Sequence, residues 1–313
     1  MKKLNHRHQP REYLIRNFIL NRDVYVFMLP AIIYLFIFNY LPMYGVLMAF
    51  KDFRPRLGIW GSPWVGLKHF HFFFSLQKFP EILLNTLVLS VYQLAAGFPL
   101  PIILALSLNS CRFTKLKKVV QTVTYAPHFI STVVIVGMLN LFFSPSLGPM
   151  VNILRIMGWS GDILKTLMNP DSFPHLYVWS GIWQNIGWNS IIYLSALSGV
   201  DPALHESARV DGANKLQRII FIDFPSILPT IVILLILDCG KIMNVGFEKV
   251  FLMQNPLNIS ASEIISTYVY KTGLREGQFS LATAIGLFNS VINFVLLVSV
   301  NKIAKRWSEY SLW

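Results

Sequence analysis

Six long apolar runs constrain this chain more than any other feature of its sequence. They lie near residues 24–47, 82–108, 120–143, 175–198, 226–248 and 280–302. The hydrocarbon core of a bilayer is about 30 Å thick, and a helix needs about 20 residues to cross it. Because unpaired backbone N–H and C=O groups cannot face lipid, runs of this kind form helices. The sequence therefore predicts an all-α, polytopic membrane protein with about six transmembrane helices.

The composition excludes several other classes of protein. Of the 313 residues, 54% are hydrophobic and 13% are charged, whereas soluble domains carry about 25% charged residues. The formal net charge of +12 would suit a nucleic-acid-binding protein, but the Lys and Arg residues lie mostly in the connectors between apolar runs. We therefore expect membrane lipid around the chain and no nucleic acid partner. Cys111 and Cys239 lie in different segments and show no redox or metal-binding spacing.

The basic residues also predict the orientation in the membrane. They are concentrated in the N-terminal arm, in alternate connectors and in the C-terminal tail. Under the positive-inside rule these segments are cytoplasmic. We therefore expect a cytoplasmic basic arm over residues 1–23, a six-helix transmembrane domain over residues 24–302 and a cytoplasmic tail over residues 303–313. Both termini are then expected inside the cell.

A polar, charge-rich stretch over residues 201–225 separates the fourth and fifth runs. Asp201-Pro202 is typical of a helix start, with Asp as the N-cap and Pro at the first helical position. Asp211-Gly212 indicates a turn, and a second short helix is expected over residues 214–222, ended by Pro225. The stretch is thus two short helices joined by a glycine turn. Such an element is either an amphipathic linker at the membrane surface or a docking element for a soluble partner.

The same stretch resembles the EAA loop of bacterial ABC importer permeases, in the form found in sugar (maltose-type) importers. The resemblance lies in Glu206-Ser207-Ala208 and Asp211-Gly212-Ala213. Ser207 replaces the first alanine of that motif, and Asp223-Phe224 stands where a threonine or similar residue and a leucine are usual. Residues 42–45, 49–53, 125–131 and 309–313 resemble the LplB-type branch of the family, which handles complex oligosaccharides.

The resemblance implies that the loop is a coupling helix, which in that family fits a groove on a cytoplasmic ATPase subunit. The residues so assigned to ATPase coupling are Glu206, Ser207, Ala208, Arg209, Asp211, Gly212 and Ala213. The chain has no G-x-x-x-x-G-K-[ST] phosphate loop. We therefore expect no enzyme activity and no cofactor in this chain, with ATP and Mg bound by partner subunits.

The resemblance also implies an assembly in a bacterial plasma or inner membrane. Its other members are a second homologous permease that forms a heterodimer with this chain, two cytoplasmic ATPase subunits and an extracellular or periplasmic solute-binding protein.

The runs on either side of the loop carry the polar residues expected of a substrate pathway. A charged residue at the centre of a membrane helix costs about 2.5–3.5 kcal/mol on insertion scales, so it usually faces the bundle interior or a wet cavity. Asp238 and Lys241 are three residues apart and could pair on one face. In the permeases that this chain resembles, these two helices line the sugar site. The substrate pathway implied here consists of Trp183, Asn185, Trp188, Asp238, Lys241 and Asn244.

The same residues have simpler explanations. Tryptophan is enriched at membrane–water interfaces, and amide and carboxylate side chains hold membrane helices together. Asp238 and Lys241 are then a structural pair, and Trp183 is an interface anchor.

The resemblance therefore implies a permease subunit that takes up oligosaccharides or polysaccharide fragments by alternating access, driven by partner ATPases. One alternative is an ABC permease for a non-sugar solute. Another is a stand-alone secondary transporter or channel, which typically carries an inverted repeat; none is evident in this sequence. An enzyme embedded in the membrane would need paired acids or a metal cluster, and the sequence suggests neither.

Overall fold

The computed structural model describes residues 20–144, 148–158, 169–307 and 310–313. Most of the predicted basic arm, up to residue 19, lies outside the described residues, and so does Glu309 of the tail. Across the described residues the regular structure is helical. The one β-type pairing found there is an isolated antiparallel bridge between Lys51 and Trp64. The predicted all-α class is confirmed.

Within these ranges, four helices are long and apolar enough to cross a membrane: Arg22–Phe50, Phe79–Asn109, Lys215–Cys239 and Phe279–Arg306. The pair Thr114–Phe129 and Thr132–Phe142 passes the same test as one bent element. Phe173–Ser198 has 26 residues, enough to cross a bilayer, but its amides and tryptophans make it less apolar than the other five. In chain order we call these elements the first to sixth spans, with the bent pair third, Phe173–Ser198 fourth, Lys215–Cys239 fifth and Phe279–Trp307 sixth.

Shorter helices fill the connectors. Those around the third and fourth spans are Pro149–Ile156 and Pro202–Val210. The connector after the first span holds Gly58–Gly61 and Lys68–Phe74. The connector before the sixth span holds Phe247–Met253, Ile259–Ser262, Ile265–Tyr270 and the π-helical turn Lys271–Arg275.

The third span, expected over residues 120–143 with a kink or an end at Pro127, consists of two helices. Its two parts meet at 98°. Pro127 lies in a short 3-10 turn, and Ile130 and Ser131 that follow are extended. The Ser131 hydroxyl then accepts a hydrogen bond from the Val134 N–H at 3.4 Å and caps a new helix. Proline and a side-chain cap together end one helix and start another in a different direction.

The fifth span also differs from its predicted bounds of 226–248. The short helix expected over residues 214–222 does not stop at Pro225 but continues through a π turn, Ile219–Asp223, into Phe224–Cys239. Proline is tolerated there because it occupies the first turn of the new α-helical segment, where its missing N–H is not required. At the other end the helix stops at Cys239. A side chain at the next residue, Gly240, would approach Leu297 of the sixth span to 2.6 Å.

Buried clusters of side chains hold the bundle together. One joins the second and fourth spans to the helix Phe247–Met253. Another joins the connector after the first span to the start of the second span and to the sixth span. A further cluster lies where the second, fourth and fifth spans converge near the loop over residues 201–225, and its members are Ile102, Ala105, Tyr193, Leu197, Ile227 and Ile231. Packing of these spans therefore fixes the base on which the loop stands.

Close backbone approach positions the fourth span against the third. Gly187 is buried in the fourth span, and a Cβ placed there would collide with the carbonyl group of Thr124. Small residues allow membrane helices to approach in this way. Gly137 of the third span, by contrast, is exposed, and a Cβ added there would meet no other atom within 4 Å.

We expect Gly187→Ala to lower the free energy of unfolding by about 1–3 kcal/mol, because the added methyl group must displace the helix backbone. Gly137→Ala is the matched control, and it should stabilise the protein slightly because alanine favours helix more than glycine. Thermal denaturation of the purified proteins in detergent measures both effects. A Gly187→Ala protein that melts at or above the wild-type temperature contradicts the packing described here.

Candidate functional site

The loop between the fourth and fifth spans is built from two capped helices. The Asp201 carboxylate accepts a hydrogen bond from the Ala203 N–H at 2.9 Å and caps Pro202–Val210. Gly212 follows with a φ of 79°, a left-handed conformation that favours glycine. Asn214 and Gln217 then form a reciprocal capping box, with distances of 2.9 and 2.7 Å. The predicted order of helix, glycine turn and helix is therefore present, and each helix start is held by side chains.

The predicted ATPase-coupling residues lie together on this element. Five are exposed and two are half-buried; the exposed ones are Glu206, Ser207, Arg209, Asp211 and Gly212, and the half-buried ones are Ala208 and Ala213. The Ala213 N–H donates to the Ala208 carbonyl at 2.8 Å, which folds the turn back onto the helix.

Large apolar side chains near these residues are also exposed. Val210 is 88% exposed, Leu216 63% and Phe221 74%. Exposed apolar side chains beside charged ones are typical of a surface that a partner covers.

A cavity of about 530 Å³ opens between the second, fourth and fifth spans. Four of the six predicted pathway residues line it: Trp188, Asp238, Lys241 and Asn244. The sequence analysis missed several other lining residues, among them Gln93, Asn189 and Tyr177. Gln93 could have been found, since it is an amide inside the otherwise apolar second run.

Asp238 and Lys241 stand at the end of the fifth span, and both are exposed to this cavity. The Lys241 N–H donates to the Asp238 carbonyl at 3.0 Å. Among the ion pairs of the described residues, none joins their side chains. The pairing on one face that the spacing allowed is therefore not formed as a direct contact.

Trp183 and Asn185 do not line the cavity. His128 Nδ1 donates to Asn185 Oδ1 at 3.0 Å, and Asn185 Nδ2 donates to the Gly181 carbonyl at 3.0 Å. Trp188 stacks on the same imidazole, with ring centroids 4.4 Å apart and planes 6° from parallel. Asn185 therefore holds the bend of the third span, and Trp183 is an exposed side chain.

Amide side chains of the sixth span hold the break after the fifth. Asn289 and Asn293 both donate from Nδ2 to Asn244 Oδ1, at 2.8 and 3.1 Å. Asn293 Oδ1 accepts from the Met243 N–H at 3.0 Å. Asn244 therefore combines a position on the cavity wall with a packing role.

A buried lysine supports the cavity from the connector that follows. Lys249 is 8% exposed, and its Nζ donates to the Tyr177 carbonyl at 3.1 Å and lies 5.3 Å from the Tyr177 ring centroid. Burial lowers the pKa of Lys249 to about 8. The Tyr177 hydroxyl in turn accepts from the Gly246 N–H at 3.1 Å. These contacts tie the connector to the fourth span.

The described residues contain no group of three His, Cys, Asp or Glu side chains placed to hold a metal ion.

Comparison with known proteins identifies the class to which this architecture belongs. A family model described as the binding-protein-dependent transport system inner membrane component matches residues 97–309. The chain belongs to this family. The matched residues include the loop, the third to sixth spans and the part of the second span from Gly97 onward.

Two curated relatives of this inner membrane component come from Bacillus subtilis (strain 168). The polygalacturonan/rhamnogalacturonan transport system permease protein YteP is 42% identical over 305 residues, which cover 97% of this chain and 94% of YteP. Protein LplB is 43% identical over 296 residues, which cover 94% of this chain and 92% of LplB.

A solved structure agrees with the fold. The bacterial alginate ABC transporter, crystallised with an alginate pentasaccharide-bound periplasmic protein, contains a chain with a TM-score of 0.87 and 38% sequence identity. The match covers 95% of this inner membrane component and 99% of that chain.

The amide at residue 185 gives a direct test of how the bend is held. We expect Asn185→Leu to lower the free energy of unfolding by about 1–3 kcal/mol, because His128 loses its acceptor in a half-buried site. Asn140→Leu, at an exposed amide of the third span, is the matched control and should change little. Thermal denaturation of both purified proteins provides the comparison. Equal melting temperatures for the two variants contradict the structural role of Asn185.

Proposed function

We propose that this chain is a permease subunit of an ABC importer that takes up oligosaccharides or polysaccharide fragments by alternating access. The observation that carries the proposal is an exposed, capped helical loop placed directly beneath spans that line a polar and aromatic cavity. Relatives matched over almost their whole length are named for polygalacturonan, rhamnogalacturonan and alginate transport, which supports a carbohydrate cargo.

The same proposal includes the rest of the importer. Two cytoplasmic ATPase subunits bind ATP and Mg, and one of them docks on the loop around Glu206 and Gly212. A second, homologous permease completes a heterodimer, and an external solute-binding protein delivers the sugar. The structure of the alginate transporter with its periplasmic protein supports this last partner.

We also propose the orientation and division given by the basic residues. The arm over residues 1–23 and the tail over residues 303–313 are cytoplasmic, and residues 24–302 form the transmembrane domain with the coupling loop at 201–225. Leu20 and the side chains of Arg22–Met43 are not buried by the rest of the chain, as expected of a helix that contacts lipid or the second permease.

The cavity suits a sugar chemically. A sugar ring has an apolar C–H face that can lie on Trp188, and hydroxyl groups that can bond to Gln93, Asn189 and Asn244. Lys241 adds a positive charge for the carboxylates of acidic sugars. Asp238 can accept hydrogen bonds from hydroxyl groups at the same wall. Together these groups support carbohydrate as the substrate class.

Uptake by the complete importer in proteoliposomes tests the proposal. Galacturonate and alginate oligosaccharides, malto-oligosaccharides and glycerol 3-phosphate serve as cargo candidates, each with its cognate binding protein where one exists. We expect uptake of an oligosaccharide that requires the ATPase subunits and ATP on the side of the membrane where they bind. Transport of glycerol 3-phosphate alone favours a non-sugar permease, and ion-driven uptake by this chain without ATPases contradicts the proposal.

The glycine turn gives a test of coupling. We expect Gly212→Ala to reduce import several-fold, because an L-residue at φ 79° costs about 1–2 kcal/mol and tilts the coupling helix. Gly277→Ala is the matched control, since Gly277 also has a positive φ, of 71°, and open space around a Cβ, but lies in the connector before the sixth span. Sugar import and ATP hydrolysis are measured on the same proteoliposomes. Equal import by both variants contradicts the role of the turn.

The two charges on the cavity wall give a test of substrate contact. We expect Asp238→Ala and Lys241→Ala each to raise the KM for uptake about tenfold, as loss of a hydrogen bond to a charged group predicts. Asp171→Ala, at an exposed carboxylate before the fourth span, should leave the KM unchanged. Concentration-dependent uptake at matched expression measures these values. An unchanged KM in both cavity variants contradicts substrate contact by these two side chains.

A further inference from the structure

We propose that Asp223 is a positioning residue that transmits movement of the coupling helix, Pro202–Val210, to the second and fifth spans. This inference rests on the proposed function, because it assumes that an ATPase moves the loop. It adds a specific mechanical link, made by a residue outside the motif residues assigned to ATPase contact.

The link is a buried carboxylate with two partners from different elements. Asp223, the last residue of the π turn in the fifth span, is 2% exposed. Its Oδ1 lies 3.3 Å from Nε2 of His205 on the coupling helix. The same Oδ1 accepts from Asn109 Nδ2, the last residue of the second span, at 3.1 Å. One oxygen atom therefore joins the coupling helix, the second span and the fifth span.

Burial makes the contact of Asp223 with His205 and Asn109 resistant to deformation. A polar oxygen that is buried without hydrogen bonds is costly, so the contacts with His205 and Asn109 offset the burial of Asp223. Displacing either partner would break a contact in a buried site, which favours movement of the three elements as a unit.

The covalent route from the coupling helix to Phe224–Cys239, the α-helical main part of the fifth span, bends more easily than this contact allows. It runs through the exposed Gly212 turn, a short helix and the π turn Ile219–Asp223. Glycine turns and π turns are the positions at which helical segments bend most easily. The contact between His205 and Asp223 bypasses the Gly212 turn and joins the two ends of the loop directly.

The second span is separated from the loop in the chain by the third and fourth spans. The hydrogen bond from Asn109 to Asp223 connects the two directly. Both spans that meet at Asp223 also line the cavity, the second through Gln93 and Gly97 and the fifth through Leu234 and Asp238. Movement of the coupling helix is therefore delivered to two walls of the cavity at once. Alternating access requires rigid-body movement of this kind.

The experiment compares import per ATP hydrolysed in the complete importer carrying Asp223→Ala, Asp223→Asn, His205→Ala or Asn109→Ala. We expect Asp223→Ala to lower import per ATP at least fivefold while the ATPase subunits still co-purify. Asp223→Asn should retain at least half of wild-type coupling, because its amide oxygen still accepts from both partners. Asp171→Ala, an exposed carboxylate outside the loop, is the control and should match wild type.

A double-mutant cycle distinguishes a specific contact between Asp223 and its partners from a general loss of protein stability. Asn109→Ala and His205→Ala should each lower import per ATP, and neither should add to the effect of Asp223→Ala. Unchanged coupling in Asp223→Ala, or additive effects in the cycle, overturns the proposal. If Asp223→Ala does not assemble, the single variants decide: wild-type coupling in both Asn109→Ala and His205→Ala overturns it. Absence of ATP-dependent import by the wild-type importer would instead count against the proposed function.

Discussion

The bundle depends on satisfying backbone polar groups at the points where its membrane helices break. Lipid offers no hydrogen bonds, so a broken helix at membrane depth must find partners in the protein. At the bend of the third span, Gln184 Nε2 donates to the Ile130 carbonyl at 3.0 Å. At the end of the fifth span, Asn293 accepts from the Met243 N–H. Amide side chains from neighbouring spans therefore allow the irregular backbone on which the cavity depends.

This requirement explains why polar residues in the spans have two roles. Asn244 lines the cavity and also accepts from two asparagines of the sixth span. Asn185 contacts His128 and is not among the residues that line the cavity. Placing an amide side chain inside a membrane helix costs a similar free energy whether the amide supports a helix break or faces a ligand. The sequence alone therefore cannot distinguish these two roles.

The sequence predicted the parts of the fold that local pattern determines. The apolar runs indicated the order of the spans, and Asp201-Pro202 and Gly212 indicated the architecture of the loop. Pro127 indicated a kink or end in the third run, but the sequence did not give the 98° angle of the bend or the continuation through Pro225. Both depend on contacts or backbone geometry that no single segment specifies. The cavity was predicted in part, through Trp188, Asp238, Lys241 and Asn244. The contact of Asp223 with His205 and Asn109 joins residues up to 114 positions apart, and no local pattern indicates it.

Movement of the loop can reach the cavity because rigid helices alternate with flexible turns along this part of the chain. Caps at Asp201 and Asn214 make each short helix rigid, whereas Gly212 leaves the angle between them adjustable. If an ATPase pushed on the helix Pro202–Val210, the helix would rotate about the Gly212 turn unless a second contact held it in place. The buried carboxylate of Asp223 supplies that contact at the base of the two spans that form the cavity walls. The loop can then transmit force to the bundle, because its movement reaches the two spans through a buried polar contact and not only through the flexible glycine turn.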